Sequence, residues 1–249
     1  MDNLGIVIAP DAARPLPGIS QANPMNTTGF LSTVPLFKSL DVIELARFAE
    51  LLREKSYLKG RVIVAEDAPG DALFIVRSGR VKVVRIADGG REVILGILGV
   101  GEHFGELSLI DEQPRSAHVF AMEDAILYVL RREDFRRRLE ASPSVAWSLL
   151  AELSRRLRRA DDQIGSLVHL DVAGRIARML VDTADSGDGE LIEKPLTHQT
   201  IAHVIGASRE TVSRALREFQ LSGWLTTEGR RMRIANREAL VKRSQQRLP

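Results

Sequence analysis

The sequence predicts an α+β protein: a β-rich N-terminal barrel or jelly roll, one long helix, and a small C-terminal domain of helices and a hairpin. Three observations predict it. Short apolar runs punctuated by glycine recur between residues 57 and 130. A seam of apolar residues at helical spacing follows, from Leu150 to Leu167. Residues 197–234 then read as two capped helices and two short strands. The boundaries drawn from these patterns are a flexible extension at 1–29, a β-rich domain at 30–142, a long helix at 143–168 and a C-terminal domain at 169–249.

The extension holds Pro10, Pro15, Pro17 and Pro24, four of the chain's ten prolines, and shows little periodicity. Within it, Leu4–Ile8 is apolar enough to dock locally. The β-rich stretch offers strands at Val62–Val64, Leu73–Val76, Val81–Ile86, Val93–Leu98, His118–Ala121 and Ile126–Leu130, with Asp88-Gly89-Gly90 as a hairpin turn. A barrel of this size encloses one small ligand. One segment, 101–117, breaks the strand pattern. Gly105, Glu106 and Leu107 begin a short helix there, whose amides suit an anion. Arg115 can add a two-pronged guanidinium and Ser116 a hydroxyl donor. Glu106 is an acceptor of the kind that binds a ribose hydroxyl. A structural ion pair between Glu106 and Arg115 is the competing reading.

Leu150, Leu153, Leu157, Ala160, Ile164 and Leu167 are spaced 3, 4, 3, 4 and 3, a heptad seam suited to a dimer helix or to packing against the chain's own barrel. Pro143 stands near its start, where proline is tolerated. Arg155, Arg156, Arg158 and Arg159 cover the other faces, and Arg156 is a candidate to face a ligand.

In the C-terminal domain Thr197 caps a first helix whose apolar face is Ile201, Ala202 and Ile205. Gly206 permits a left-handed turn. Ser208 caps a second helix that buries Val212, Ala215, Leu216 and Phe219. Arg209, Glu210, Ser213, Arg214 and Arg217 fall on its outer side, and Gln199 and Thr211 join the same candidate surface. This is the layout of a helix-turn-helix, whose second helix enters the DNA major groove. Arginine pairs with guanine there and glutamate accepts from cytosine. Leu225–Thr227 and Met232–Ile234 flank a turn carrying Arg230 and Arg231, a wing suited to phosphates. From Thr197 to Pro249 there are 10 Lys and Arg against 4 Asp and Glu, a net of +6. The whole chain, with 35 against 33, carries +2, so residues 1–196 carry −4. The positive excess is confined to the candidate DNA domain.

Composition sets the remaining bounds. A chain of 249 residues that is 44% hydrophobic and 27% charged reads as an ordinary globular protein of one or two domains. No apolar run approaches the ~18 residues that span a bilayer, and the N-terminus lacks a signal-peptide pattern. A cytoplasmic protein with no membrane partner is expected. The sequence has no cysteine, which excludes disulfides and thiolate iron–sulfur clusters. It has no HxxxE-type metal cluster, no Gly-x-Ser-x-Gly and no nucleotide-triphosphate loop, so neither an enzyme nor a metal site is expected. His103 and His118 stand alone, and no haem is expected from them.

Several stretches in order resemble the cyclic AMP receptor protein / fumarate-nitrate regulator (CRP/FNR) family of bacterial transcription regulators. They are Lys59–Ile63, Pro69–Val81, Phe104–Leu109 with Pro114–Ala117, His169–Ala177 and Ser208–Arg214, and the likeness runs from about Phe37 to the wing. It implies a cyclic-nucleotide-binding-type β-barrel (a double-stranded β-helix or jelly roll), a dimerisation helix and a winged helix-turn-helix. It implies a homodimer on a palindromic promoter site in double-stranded DNA, contact with RNA polymerase, and base reading by Arg209, Glu210 and Arg214. In cAMP-responsive relatives a Thr-Ser pair on the dimer helix contacts adenine. The matching positions here are Ala160 and Asp161, which cannot reproduce that contact. The expectation is therefore a sensor for something other than cAMP. A guanine nucleotide read by Asp161 is the first alternative among nucleotides. An unrelated effector, an effector-independent regulator and an architectural DNA-binding protein remain open.

Overall fold

The computed structural model describes residues 20–21, 24–87, 90, 92–185, 190–192, 196–228 and 231–246. Leu4–Ile8, most of the Asp88-Gly89-Gly90 turn and Arg230 lie outside them. The chain divides into two compact units, residues 1–154 and 155–249.

The first unit opens with β1 (Ser20–Gln21) and α1 (Pro24–Leu31), then a 3-10 turn at Pro35–Phe37 and α2 (Val42–Leu51). Strands and short turns follow: β2 (Arg53–Tyr57), β3 (Val62–Val64), β4 (Ala72–Ser78), β5 (Val81–Ile86), β6 (Glu92–Leu98) and β7 (His103–Phe104) precede the short α3 (Leu107–Ile110). Then come β8 (His118–Ala121), β9 (Ala125–Arg131), α4 (Arg132–Ala141) and the long α5 (Pro143–His169), whose sequence continues past residue 154. The strands form two antiparallel sheets, in the orders β1-β2-β9-β4-β7 and β3-β8-β5-β6.

The five-stranded sheet is buried on both faces, and the alternation of β4 shows how. Phe74 and Val76, with Phe104 and Leu127, pack against Val64, Val81 and Val119 of the second sheet. Leu73 and Ile75, with Tyr128 and Leu130, point the other way, into a core with Leu31, Phe37, Phe48, Phe135, Val145 and Leu149 from the helices. That two-sided burial explains why Ala72–Val76 is a continuous buried run rather than an alternating one.

The extension drawn at residues 1–29 is too long. Ser20 and Gln21 pair with Glu54 and Arg53 on β2, and α1 begins at Pro24. Proline fits the first position of a helix, where its missing amide is not needed. Thr27 is fully buried, with its hydroxyl 3.3 Å from that of Tyr128. Phe30 meets the Tyr128 ring edge-on at 5.6 Å. The reason lies in partners on β2 and at Tyr128, far along the chain, which no local pattern reveals.

The second unit holds the rest of α5, α6 (Val172–Asp185), β10 (Leu191–Ile192), α7 (His198–Ile205), α8 (Arg209–Leu221), β11 (Leu225–Glu228), β12 (Arg231–Ile234) and α9 (Arg237–Gln245). Its core joins Ile176, Leu180, Ile201, Ile205, Val212, Leu216, Phe219, Ile234 and Leu240. The hairpin β11–β12 gains β10 as a third antiparallel strand. Asp171 starts α6 by accepting from the Gly174 amide at 2.8 Å, and it also receives Arg243 of α9 at 2.5–2.7 Å. Burial alone would raise the Asp171 pKa, but the Gly174 amide and Arg243 outweigh it and hold the carboxyl below its usual range. The expected α+β arrangement of β-barrel, long helix and winged helix-turn-helix is the observed one.

Candidate DNA-binding and ligand-binding sites

The helix-turn-helix is fixed by three local devices. Thr197 caps α7 by accepting from the Thr200 amide at 3.0 Å. Gly206 ends it in the left-handed region at φ 68° and ψ 45°, and the Ala207 amide returns to the Ala202 carbonyl at 3.0 Å. Ser208 caps α8 by accepting from the Thr211 amide at 3.2 Å. Val212, Ala215, Leu216 and Phe219 are buried, which turns the opposite side of α8 outward. Arg209, Glu210, Arg214 and Arg217 are exposed there, Ser213 and Thr211 are half-buried, and Gln199 is exposed on α7. The Glu210 carboxylate folds back on its own amide and the Ser208 hydroxyl at the helix N-terminus, which holds its pKa below the usual value. It is therefore fully charged near neutrality.

At the wing, Arg231 is exposed at the start of β12. Arg233 is spent otherwise: it pairs with Glu228 at 2.6 Å and lies 3.7 Å from Glu190. The Glu228 hydrogen bond and charge push its pKa up. Two polar contacts on α7 were not legible in the sequence. His198 Nδ1 lies 2.8 Å from Ser213 Oγ, and Gln199 Nε2 lies 2.5 Å from His203 Nε2. The separation of fifteen residues between His198 and Ser213 becomes a contact only once the turn angle is known.

In the first unit, the structure gathers Gly105, Glu106, Leu107 and Arg115 around the turn that leads into α3. Gly105 has φ +89°, and a Cβ there would stand 2.6 Å from Arg115 Nη1. Only glycine admits the guanidinium this close. Arg115 is buried, with Nη1 donating to the Gly105 carbonyl at 2.8 Å and Nη2 to the Ala72 carbonyl at 2.8 Å. Its nearest carboxylate, Asp71, is 3.4 Å away and 89% exposed. The competing reading of a Glu106–Arg115 ion pair is not what the Arg115 contacts show: its fork is filled by main-chain carbonyls. Burial pulls the Arg115 pKa down while Asp71 opposes that. Nη2 gives its second N–H to Asp71 Oδ1 at 3.4 Å, while Nη1 retains one. Glu106 is buried, whereas Leu107 and Ser116 are exposed.

Arg132, which the sequence did not single out, reaches this turn from α4. It donates to the Gly70 carbonyl at 3.0 Å through Nε and to the Ser108 carbonyl at 3.0 Å through Nη2. On α5, Arg156 is half-buried and Asp161 is exposed, both in the second unit. Leu150, Leu157, Ile164 and Leu167 of the seam are exposed at 54%, 64%, 61% and 55%. Leu153 instead packs partly against the helical core of the first unit.

Comparison with known proteins follows the same division. Residues 54–142 match the family described as "Cyclic nucleotide-binding domain", and residues 174–243 match "Crp-like helix-turn-helix domain". A CRP-like cAMP-activated global transcriptional regulator of Mycobacterium tuberculosis is 34% identical over 219 residues, covering 86% of this chain and 98% of that protein. Among solved structures, FixK2 from Bradyrhizobium japonicum superposes with a TM-score of 0.70 at 26% identity, over 77% of this chain and 96% of that one. The c-di-GMP responsive global regulator CLP of Xanthomonas campestris gives 0.68 at 25%, over 79% and 100%. Among the described residues no helix is long and apolar enough to cross a membrane. An ordered β-barrel, a capped helix-turn-helix with a three-stranded wing, and identity at this level over nearly the whole of a relative make one assignment: the chain belongs to the CRP/FNR family of bacterial transcription regulators.

Proposed function

We propose that the protein is a homodimeric regulator that binds a palindromic promoter site in double-stranded DNA, works with RNA polymerase, and is gated by an anionic nucleotide-like effector. The observation that carries the DNA part is α8. Its buried stripe and two flanking caps fix the helix, and Arg209, Glu210, Arg214 and Arg217 stand exposed on the other side. Arg209, Glu210 and Arg214 read base edges. Gln199, Ser208, Thr211, Ser213 and Arg217 complete the surface, and Arg230 and Arg231 meet phosphates. Dimerisation through residues 143–168 is supported by the exposed leucines and isoleucine of the heptad seam.

The effector site is assigned to Gly105, Glu106, Leu107, Arg115 and Ser116 of the first unit; Arg156 and Asp161 of the second unit are candidates through the sequence resemblance alone. A buried guanidinium whose closest contacts are neutral carbonyls leaves positive charge for an anion. Relatives differ in effector: the mycobacterial protein is named for cAMP and CLP for c-di-GMP. We assign a guanine nucleotide here. Ala160 offers no side-chain hydrogen bond, and the Asp161 carboxylate can accept from the guanine amino and ring N–H groups. The test has two parts. Anisotropy should give tighter binding to a palindromic duplex than to a scrambled one. Calorimetry with cyclic GMP, cyclic di-GMP and cAMP should give binding by a guanine nucleotide and little by cAMP. Tight cAMP binding would refute the adenine argument, and silence from all three would leave an effector-independent regulator.

A further inference from the structure

α7 and α8 touch through buried apolar side chains and through a polar contact at an exposed position, His198 Nδ1 to Ser213 Oγ at 2.8 Å. His198 is exposed in the first turn of α7. Ser213 lies four residues after Arg209 and four before Arg217, so it shares their side of α8.

A serine hydroxyl has one donor and two lone pairs, and left to rotate it serves either a donor or an acceptor on a base edge. It therefore discriminates poorly. A neutral imidazole nitrogen is either a donor or an acceptor, never both. If Nδ1 carries the proton, it donates to Oγ and the hydroxyl proton is left to point outward. If Nδ1 is bare, it takes the hydroxyl proton and only lone pairs remain for the DNA. The bare Nδ1 removes the donor role, and a hydroxyl with one role left tells bases apart; the protonated Nδ1 occupies one lone pair and fixes the direction in which the hydroxyl proton points.

We propose that His198 is a positioning residue for base reading: through Nδ1 it fixes the orientation and hydrogen-bond role of the Ser213 hydroxyl at the DNA surface. The inference rests on α8 being the helix that reads bases. It gives α7 a part in sequence choice, where a first helix would otherwise contribute only contacts to the phosphate backbone.

The test starts from a randomised palindromic library selected on the full-length protein, with one selected site then varied at each base step. Ser213→Ala should lower the preference at one step per half-site by about fivefold or more. His198→Ala should lower it at the same step, and the double variant should lose no more than Ser213→Ala alone. His198→Asn puts a polar amide atom close to the place of Nδ1 and should keep the preference. His198→Gln, whose amide falls nearer the place of Nε2, should not. Thermal unfolding of each variant checks that the exposed substitution leaves the domain folded. A loss spread evenly over all sequences for His198→Ala would make it a phosphate contact and overturn the proposal. Additive losses in the double variant, or no base-step effect of Ser213→Ala, would overturn it too. A wild-type protein with no site preference at all would bring down the reading of α8 itself, a result distinct from the other three.

Discussion

The two candidate sites use arginine in opposite ways. Arg115 is buried and bonded to two main-chain carbonyls of its own unit, so it belongs to the fold as much as to any ligand. Arg209, Arg214 and Arg217 stand in solvent on a helix whose position is set by other residues, Val212, Leu216 and Phe219. The first arrangement makes a cation rigid and couples its loss to stability. The second leaves side chains free to change without touching the core, which suits a surface whose task is to choose among DNA sequences.

The largest effect that would test this contrast is on Arg115. Arg115→Ala leaves the Gly105 and Ala72 carbonyls without their donor and removes a buried side chain, so thermal or denaturant unfolding of the first unit should lose about 3 kcal/mol. Gly105→Ala attacks the same contact from the other side and should cost a similar amount. An unchanged midpoint for both would mean the guanidinium is not part of the fold. Next in size, Arg209→Ala should lower discrimination at one base step by about 2 kcal/mol while stability changes by less than about 0.5 kcal/mol. A large loss of stability there would erase the distinction between the sites.

Gly206→Ala sharpens the comparison between glycines. At Gly206 a Cβ meets nothing within 4 Å, so only the left-handed backbone at φ +68° resists the change. The expected loss is about 1 kcal/mol, smaller than at Gly105, where backbone and Arg115 both resist. The smallest effect concerns acid. The folded pKa of Asp171 is depressed, so its contribution is present above the unfolded carboxylate pKa and fades as pH falls through the lower, folded value. Asp171→Asn keeps an acceptor for the Gly174 amide but loses the charge opposite Arg243. Its stability should fall slightly at neutral pH, and the gap to wild type should close as the solution is acidified. A gap independent of pH would show that the Arg243 pairing is not the source.

Much of this was legible in the sequence because it was local. The caps Thr197 and Ser208, the turn glycine Gly206 and the apolar stripe of α8 each follow from spacing within a few residues, and the structure has them where expected. The apolar strands β3, β4, β5, β6, β8 and β9 follow from the same kind of pattern. What escaped was set by distant partners. Strand β2, Arg-Glu-Lys-Ser-Tyr, has no apolar alternation and exists because β9 pairs with it along its whole length. The filled fork of Arg115 depends on carbonyls at Ala72 and Gly105, and carbonyls have no residue identity to read. Arg132 sits in a run of charges that looks like solvated surface, yet two of its nitrogens reach the Gly70 and Ser108 carbonyls.

The place of β9 in its sheet has a consequence for how the chain is made. It lies between β2 and β4, pairing Arg53–Tyr57 on one side and Ala72–Ser78 on the other. Both of those strands leave the ribosome long before residues 125–131 do. Until then the five-stranded sheet lacks its middle, and β2 and β4 carry unpaired edges that must stay apart from other chains. The helix-turn-helix, whose partners are near neighbours in sequence, has no such wait. The half that is synthesised first is therefore the half whose sheet closes slowly, and nascent chains are most exposed to aggregation during the synthesis of the 67 residues that separate β2 from its partner.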